Sequence, residues 1–303
     1  MSFFTRVMKR VIKLLDGVVN LIALLLILSS LLLSGYSLWD VSQIYHAAEA
    51  TVYEAYIPSQ EDTRSFEELR AINPEVIGWL RVNETFINYP LVQAQDNSKY
   101  VNTDVEGKYS LSGAIFLDCT NTLDFTDFNS IIYGHHMEKN RMFGDIGLFA
   151  QKDYFDAHPY GNLFFNGRDH GLEFFAFMTV DAYDPIFLVC PKENMQSWQD
   201  YLDRIYESAT WTREMDVTLQ DHLVLLSTCT SSITNGRNIL VGRLSDTVYP
   251  EAEEPLNFGS GVDALEHWFG TLPTLFWIAL AVGILLILSI LAIAFSRRKK
   301  RRG

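Results

Sequence analysis

The sequence predicts a mainly β outer domain tethered by two transmembrane helices. Three observations lead there. Gly17 to Trp39 and Leu272 to Phe295 are uncharged, aliphatic-rich runs. At 1.5 Å per residue each can cross the roughly 30 Å hydrocarbon core of a bilayer. Between them lie eight short runs rich in Val, Ile, Phe and Tyr, punctuated by Gly, Asn and Asp. Strands of that number and spacing fit a closed barrel or a sandwich better than an alternating βαβ sheet.

The flanks set the orientation. Arg6, Lys9, Arg10 and Lys13 precede the first run, and Arg297, Arg298, Lys299, Lys300, Arg301 and Arg302 follow the second. Basic residues stay on the cytoplasmic side, so both termini are expected inside and the middle outside. Trp39, Trp268 and Trp277 suit the membrane interfaces. A cleaved signal peptide is the alternative for the first run, but the cleavage-like Ala48-Glu49-Ala50 lies well past the end of the apolar stretch. A buried core helix is the alternative for the second, and its basic tail opposes that.

The chain has 303 residues and a formal charge of −13, with 24 Lys and Arg against 37 Asp and Glu. Removing the basic flanks leaves the outer segment, roughly Asp40 to Glu266, at about −22. Such a balance argues against nucleic acid or anionic lipid as a partner. Cys119, Cys190 and Cys229 form no disulfide framework and no metal-binding pair, so at least one thiol is left over in an extracytoplasmic setting. Cys119 and Cys190 are read as bystanders, with a bond between them left open.

In chain order, Val41 to Glu54 has helical composition and reads as a stalk. Ser65-Phe66-Glu67-Glu68 has the S-x-x-E capping-box pattern of a short helix that Asn73-Pro74 ends. The expected strands are Ile77–Val82, Thr85–Val92, Gly113–Leu117, Asn129–Tyr133, Asn162–Phe165, Leu172–Ala182, His222–Cys229 and Arg237–Leu244. Two helical insertions interrupt them, Phe143 to Phe155 and Asn194 to Ala209. In the second, Trp198, Tyr201, Leu202, Ile205 and Tyr206 recur three and four apart, an apolar stripe for packing on the barrel. Asp118, Asp124 and Asp127 read as a solvated acidic loop rather than a Ca²⁺ site, and no cofactor or metal motif is present.

The chemistry concentrates at strand ends. Cys229 closes one apolar strand and Arg237 opens the next after an Asn235-Gly236 turn, placing a thiol and a guanidinium on one rim. A nearby cation favours a thiolate or an oxyanion. Ile131-Ile132-Tyr133-Gly134-His135 ends a third strand in histidine. A lone Cys is more often a buried structural residue, but Cys, His and Arg together at strand ends suit a cysteine acyl transferase. His136 competes with His135; His46, His158, His170, His222 and His267 read as surface or capping residues, and Arg243 as structural.

The chain resembles the sortases, class B in particular. The resemblance runs through Ile72-Asn73-Pro74-Glu75-Val76-Ile77-Gly78-Trp79-Leu80, Asn88-Tyr89-Pro90-Leu91-Val92-Gln93, Asp96-Asn97, Gly107-Lys108-Tyr109-Ser110, Tyr133-Gly134-His135, Met142-Phe143-Gly144, Ser227-Thr228-Cys229 and Arg237. It implies an eight-stranded sortase-type β-barrel with N-terminal helices and a helix inserted before the cysteine strand. It also implies a transpeptidase that cuts a C-terminal sorting signal and passes the acyl group to a cell-wall precursor amine. Cys229 is then the nucleophile, His135 the general acid and base, and Arg237 the oxyanion or peptide donor.

The expected division is 1–16 cytoplasmic, 17–39 transmembrane, 40–67 stalk and N-terminal helices, 68–250 catalytic domain, 251–271 linker, 272–295 transmembrane and 296–303 cytoplasmic tail. Two features depart from class B. Leu225 stands where the family carries Thr, and the second membrane run with its basic tail resembles the pilus-building class C enzymes. The Asp-Pro-aromatic lid of class C is missing from Asp40 to Pro74, and Asp184-Pro185-Ile186 comes too late to supply it. A pilin polymerase using a lysine amine is therefore the alternative. A hydrolytic cysteine protease is opposed by the order His135 before Cys229, and an inactive scaffold by the presence of all three residues.

Overall fold

The computed structural model describes residues 3–58, 63–184, 187, 195–230 and 235–250. The expected helix at Leu272 to Phe295, together with Cys190 and His267, lies outside them. The chain divides into two units, one including Met1–Gln43 and the other Ile44–Phe258.

Helix α1 (Phe3–Ala47) is longer than the expected span 17–39, because no proline interrupts either flank. It is long and apolar enough to cross a membrane, and Leu21, Ile22, Leu25, Leu26 and Ile27 are exposed along it. A 3₁₀ turn (Ala50–Tyr56) follows, then helix α2 (Arg64–Ile72). The capping box expected at Ser65 does not form. The helix starts two residues earlier, with Thr63 rather than Ser65 at the N-cap and no side-chain cap. The backbone N–H of Glu67 instead donates to the Thr63 carbonyl, 3.0 Å. Asn73 and Pro74 end α2 where expected.

Eight strands form the barrel: β1 (Val76–Val82), β2 (Asn88–Val92), β3 (Ile115–Leu117), β4 (Asn129–Tyr133), β5 (Tyr160–Phe165), β6 (Arg168–Asp181), β7 (Leu223–Thr230) and β8 (Gly236–Ser245). Their order is β8-β7-β4-β3-β2-β1-β5-β6, and pairing of β6 with β8 closes it. Closure selects the barrel over the sandwich. All neighbours are antiparallel except β2–β3 and β4–β7. A parallel pair needs a long crossover, so residues 93–114 must travel the barrel's length before β3 begins.

Strand ends move where turn chemistry intervenes. β2 starts at Asn88 rather than Thr85, because Thr85 Oγ1 donates to the Val82 carbonyl and accepts from the Ile87 N–H within the turn. β6 starts at Arg168 rather than Leu172. Asn166 and Gly167, at φ 50 and 78, make a two-residue hairpin that pairs Phe165 directly with Arg168. The insertion expected as one helix over Phe143–Phe155 is a 3₁₀ segment (Gly144–Ala150) followed by α3 (Lys152–Ala157).

The sheet separates two apolar clusters. Ile132, Val224, Leu226 and Leu240 join the larger one, which runs through the barrel. Their sequence neighbours Ile131, Leu223, Leu225, Ile239 and Val241 join the second, with Tyr201, Leu202 and Ile205 of α4 (Met195–Ser208). An eight-stranded barrel has interior room for side chains only, so the α4 face of β4, β7 and β8 is the outer one. The predicted stripe therefore packs as expected, with Tyr206 at its exposed margin.

Two polar expectations are overturned. Asp118 is buried rather than part of a solvated loop. His170 is buried rather than on the surface, stacked on Phe165 with centroids 3.9 Å apart; burial, and then the Arg168 charge, hold its pKa below the ordinary imidazole value.

Candidate active site

Period-two alternation decides which side chains meet. Cys229 and Arg237 are direct partners in the antiparallel β7–β8 ladder, so both emerge on one face. Counting back by twos from Cys229 gives Ser227 and Leu225, which places the pair on the outer face, beyond the part that α4 covers. Thr228 points the other way; its Oγ1 donates to the Gly134 carbonyl, 2.8 Å.

The parallel β4–β7 ladder brings in the histidine. Tyr133 is opposite Ser227, and the Gly134 N–H continues the ladder by donating to the Ser227 carbonyl, 3.2 Å. His135 follows two residues after Tyr133, just past the end of this ladder, as Cys229 follows two residues after Ser227. Cys229 and His135 line one cleft of about 430 Å³ with Asn97, Val101, Phe116, Tyr133, Gly134 and Arg237. The three residues chosen from sequence thus share one cavity. His136 is exposed and stands beside Gly147, away from that lining.

Charge in the cleft is organised around Asp118. Its Oδ2 accepts from Asn97 Nδ2 at 2.8 Å and the Tyr133 hydroxyl at 3.2 Å. Its Oδ1 accepts from the N–H and hydroxyl of Thr120. Burial pushes the Tyr133 hydroxyl pKa up, and the Asp118 charge and hydrogen bond add to that, so Tyr133 remains a neutral donor. The Arg237 guanidinium lies 6.0 Å from the Tyr133 ring centroid, at the outer limit of a cation–π contact. Its Nε is buried and, among the described residues, has no hydrogen-bond partner. A thiol, an imidazole and a fixed cation around one cleft suffice for acyl transfer through a thioester.

No family model matches the chain. Sortase B of Listeria monocytogenes is 31% identical over 181 residues, covering 58% of this chain and 72% of that protein. The chain belongs to the class B sortases. Among solved structures, sortase B from the type II pilus of Streptococcus pneumoniae is 43% identical, with a TM-score of 0.53, covering 60% of this chain and 99% of the other. A Streptococcus pyogenes class B sortase involved in pilus biogenesis is 37% identical, with a TM-score of 0.56, covering 59% and 97%.

This class B sortase is a cysteine transpeptidase on the sortase barrel. Leu225, the departure from the family's Thr, is fully buried in the outer cluster. Arg243 is structural as expected: its Nε donates to Glu173 at 2.8 Å and its Nη1 to the Asp216 carbonyl at 3.0 Å. Cys119 is half-buried and, among the described residues, has no disulfide partner; its backbone N–H donates to Asn97 Oδ1, 2.8 Å. Among the described residues no group of three His, Cys, Asp or Glu side chains is placed to hold a metal ion. Sequence reading missed Asn97, Val101 and Phe116 as cleft residues. Asn97 belongs to the Asp96-Asn97 family motif, whereas Val101 and Phe116 carry no signal of their own.

Proposed function

We propose that the class B sortase acts on surface proteins bearing a C-terminal sorting signal. The Cys229 thiolate attacks the scissile carbonyl, and Arg237 donates to the oxygen that gains charge. The C–N bond breaks as His135 protonates the departing amine, leaving a thioester on Cys229. The acceptor amine gives a proton back to His135, attacks the thioester and expels the thiolate as the new amide forms. The single observation carrying this reading is that His135 lines one cleft with Cys229 and Arg237, the latter two being direct partners in register. A carbonyl between them meets the nucleophile and the donor at once.

The acceptor we favour is a cell-wall precursor amine. A lysine amine of a pilin subunit is the second reading, favoured by the two pilus-associated structures above. The basic flanks and two apolar runs support a two-pass anchor, with both termini cytoplasmic and residues 68–250 outside as the catalytic domain. The full chain in detergent, given a panel of sorting-signal pentapeptides with either a cell-wall-type peptide amine or a lysine-bearing pilin fragment, tests the choice. An amide to the first amine supports wall anchoring. An amide only to the second replaces it with pilin assembly.

A further inference from the structure

We infer that the main-chain carbonyl of Val101 is the positioning group for His135, fixing Nε2 as the protonated nitrogen and leaving Nδ1 to exchange protons at Cys229. This rests on the acid–base role proposed for His135.

His135 Nε2 lies 2.8 Å from the Val101 oxygen. A carbonyl oxygen only accepts, so Nε2 must carry hydrogen in both the neutral and the charged ring. The lone pair that takes and returns a proton is then on Nδ1. In many triads a carboxylate orients the histidine; here a backbone oxygen occupies that place, and its position depends on the loop that carries it.

That loop is braced from below. Val101 ends a 3₁₀ turn (Lys99–Val101), and the adjacent Tyr100 is 1% exposed. The Tyr100 hydroxyl donates to Glu75 Oε2 at 2.6 Å and accepts from Asn73 Nδ2 at 2.8 Å. Asn73 Nδ2 also donates to the Val105 carbonyl, 2.7 Å, tying down the loop's far side. Lys99 Nζ donates to the same Glu75 oxygen, 2.6 Å. Burial of Glu75 works against ionisation, but the bonds from Lys99 and Tyr100 outweigh it and keep the carboxyl below its ordinary range.

From the other side the loop is pressed by Gly113. Its φ is +60, and a Cβ built there would lie 2.4 Å from the Tyr100 oxygen and 2.7 Å from the Val101 oxygen. Any side chain at 113 must therefore displace the acceptor of His135. The contact explains why a glycine precedes β3.

The test is ¹⁵N NMR of the histidine-labelled full chain in detergent, with His135 assigned from a His135→Gln difference spectrum. Spectra are taken at a pH above which its signals stop moving. The expected result is the Nε2–H tautomer in the wild type. Gly113→Ala and the milder Tyr100→Phe, which keeps the ring but removes the hydroxyl, should shift His135 toward a mixture of tautomers. Both should lower kcat about tenfold or more, with KM within about twofold, for the pentapeptide that acylates Cys229. A wild-type Nδ1–H tautomer would overturn the inference. So would Tyr100→Phe with an unchanged tautomer and unchanged kcat. Full turnover in His135→Ala would remove the underlying acid–base reading instead, a result the tautomer measurement keeps separate.

Discussion

Cys229 and Arg237 stand opposite each other across the β7–β8 ladder, eight positions apart in sequence but partners in register. Strand pairing fixes the Arg237 backbone beside Cys229, and its guanidinium lies 6.0 Å from the Tyr133 ring centroid. Its fork offers donors in a fixed plane that a lysine point charge does not reproduce. Arg237→Lys should therefore lose nearly as much kcat as Arg237→Ala, about a hundredfold or more. Alkylation of Cys229 by iodoacetamide serves as the control for an intact thiol. A lysine variant retaining a third of wild-type kcat would contradict the oxyanion role.

Asp118 predicts a linked loss of stability and site order. It receives four hydrogen bonds, from Asn97, Tyr133 and twice from Thr120. Asp118→Ala removes the buried acceptor on which all four bonds converge and should cost about 2 kcal/mol in urea unfolding. Asp118→Asn keeps the shape and one acceptor oxygen, so it should cost less. Equal stability of all three proteins would show that the network is not holding the cleft wall.

Asp145 sets a pH dependence of the opposite sign to a paired carboxylate. Its Oδ2 accepts from the Phe86 N–H at 2.7 Å, while Oδ1 is buried and, among the described residues, has no partner. Burial pushes its pKa from 3.8 to about 6, against partial relief from the Phe86 N–H and the His158 and Arg141 charges. The folded state therefore keeps a proton that the unfolded chain releases, and stability falls as pH rises between those values. The loss is up to about 3 kcal/mol. Asp145→Asn should flatten that part of the curve. Parallel wild-type and variant curves from pH 4 to 7 would refute the assignment.

The outer cluster carries a packing prediction. Ile205 of α4 is fully buried against the β7 and β8 residues that lead to the site. Ile205→Ala should destabilise the domain by about 3 kcal/mol, a combination of lost burial and a residual cavity. Tyr206→Ala, at the exposed margin, should cost under about 1 kcal/mol. A reversed order would mean that α4 packs through a different stripe.

Local patterning is what the sequence makes legible. All eight strands are visible in it because apolar runs bounded by Gly, Asn and Asp leave few other options, and Cys229, His135 and Arg237 each sit at such a boundary. Less legible is anything set by long crossovers. Val101 meets His135 thirty-four residues away, and no periodicity announces that contact. Asp118 reads as solvated because an acidic residue among Asp, Thr and Asn resembles a surface loop, yet four hydrogen bonds converge on it. Ser65 looks like an N-cap on its S-x-x-E spacing, but the Thr63 carbonyl already begins the helix.

The most direct test of the account is where the acyl group rests. Wild-type chain and Cys229→Ala, each incubated with the reactive pentapeptide and no amine, would be digested and mapped by mass spectrometry. The account predicts an acyl adduct on the Cys229 peptide in the wild type that disappears as amide when amine is added, and no adduct in the variant. An adduct on Cys119, or turnover that survives Cys229→Ala, would contradict it.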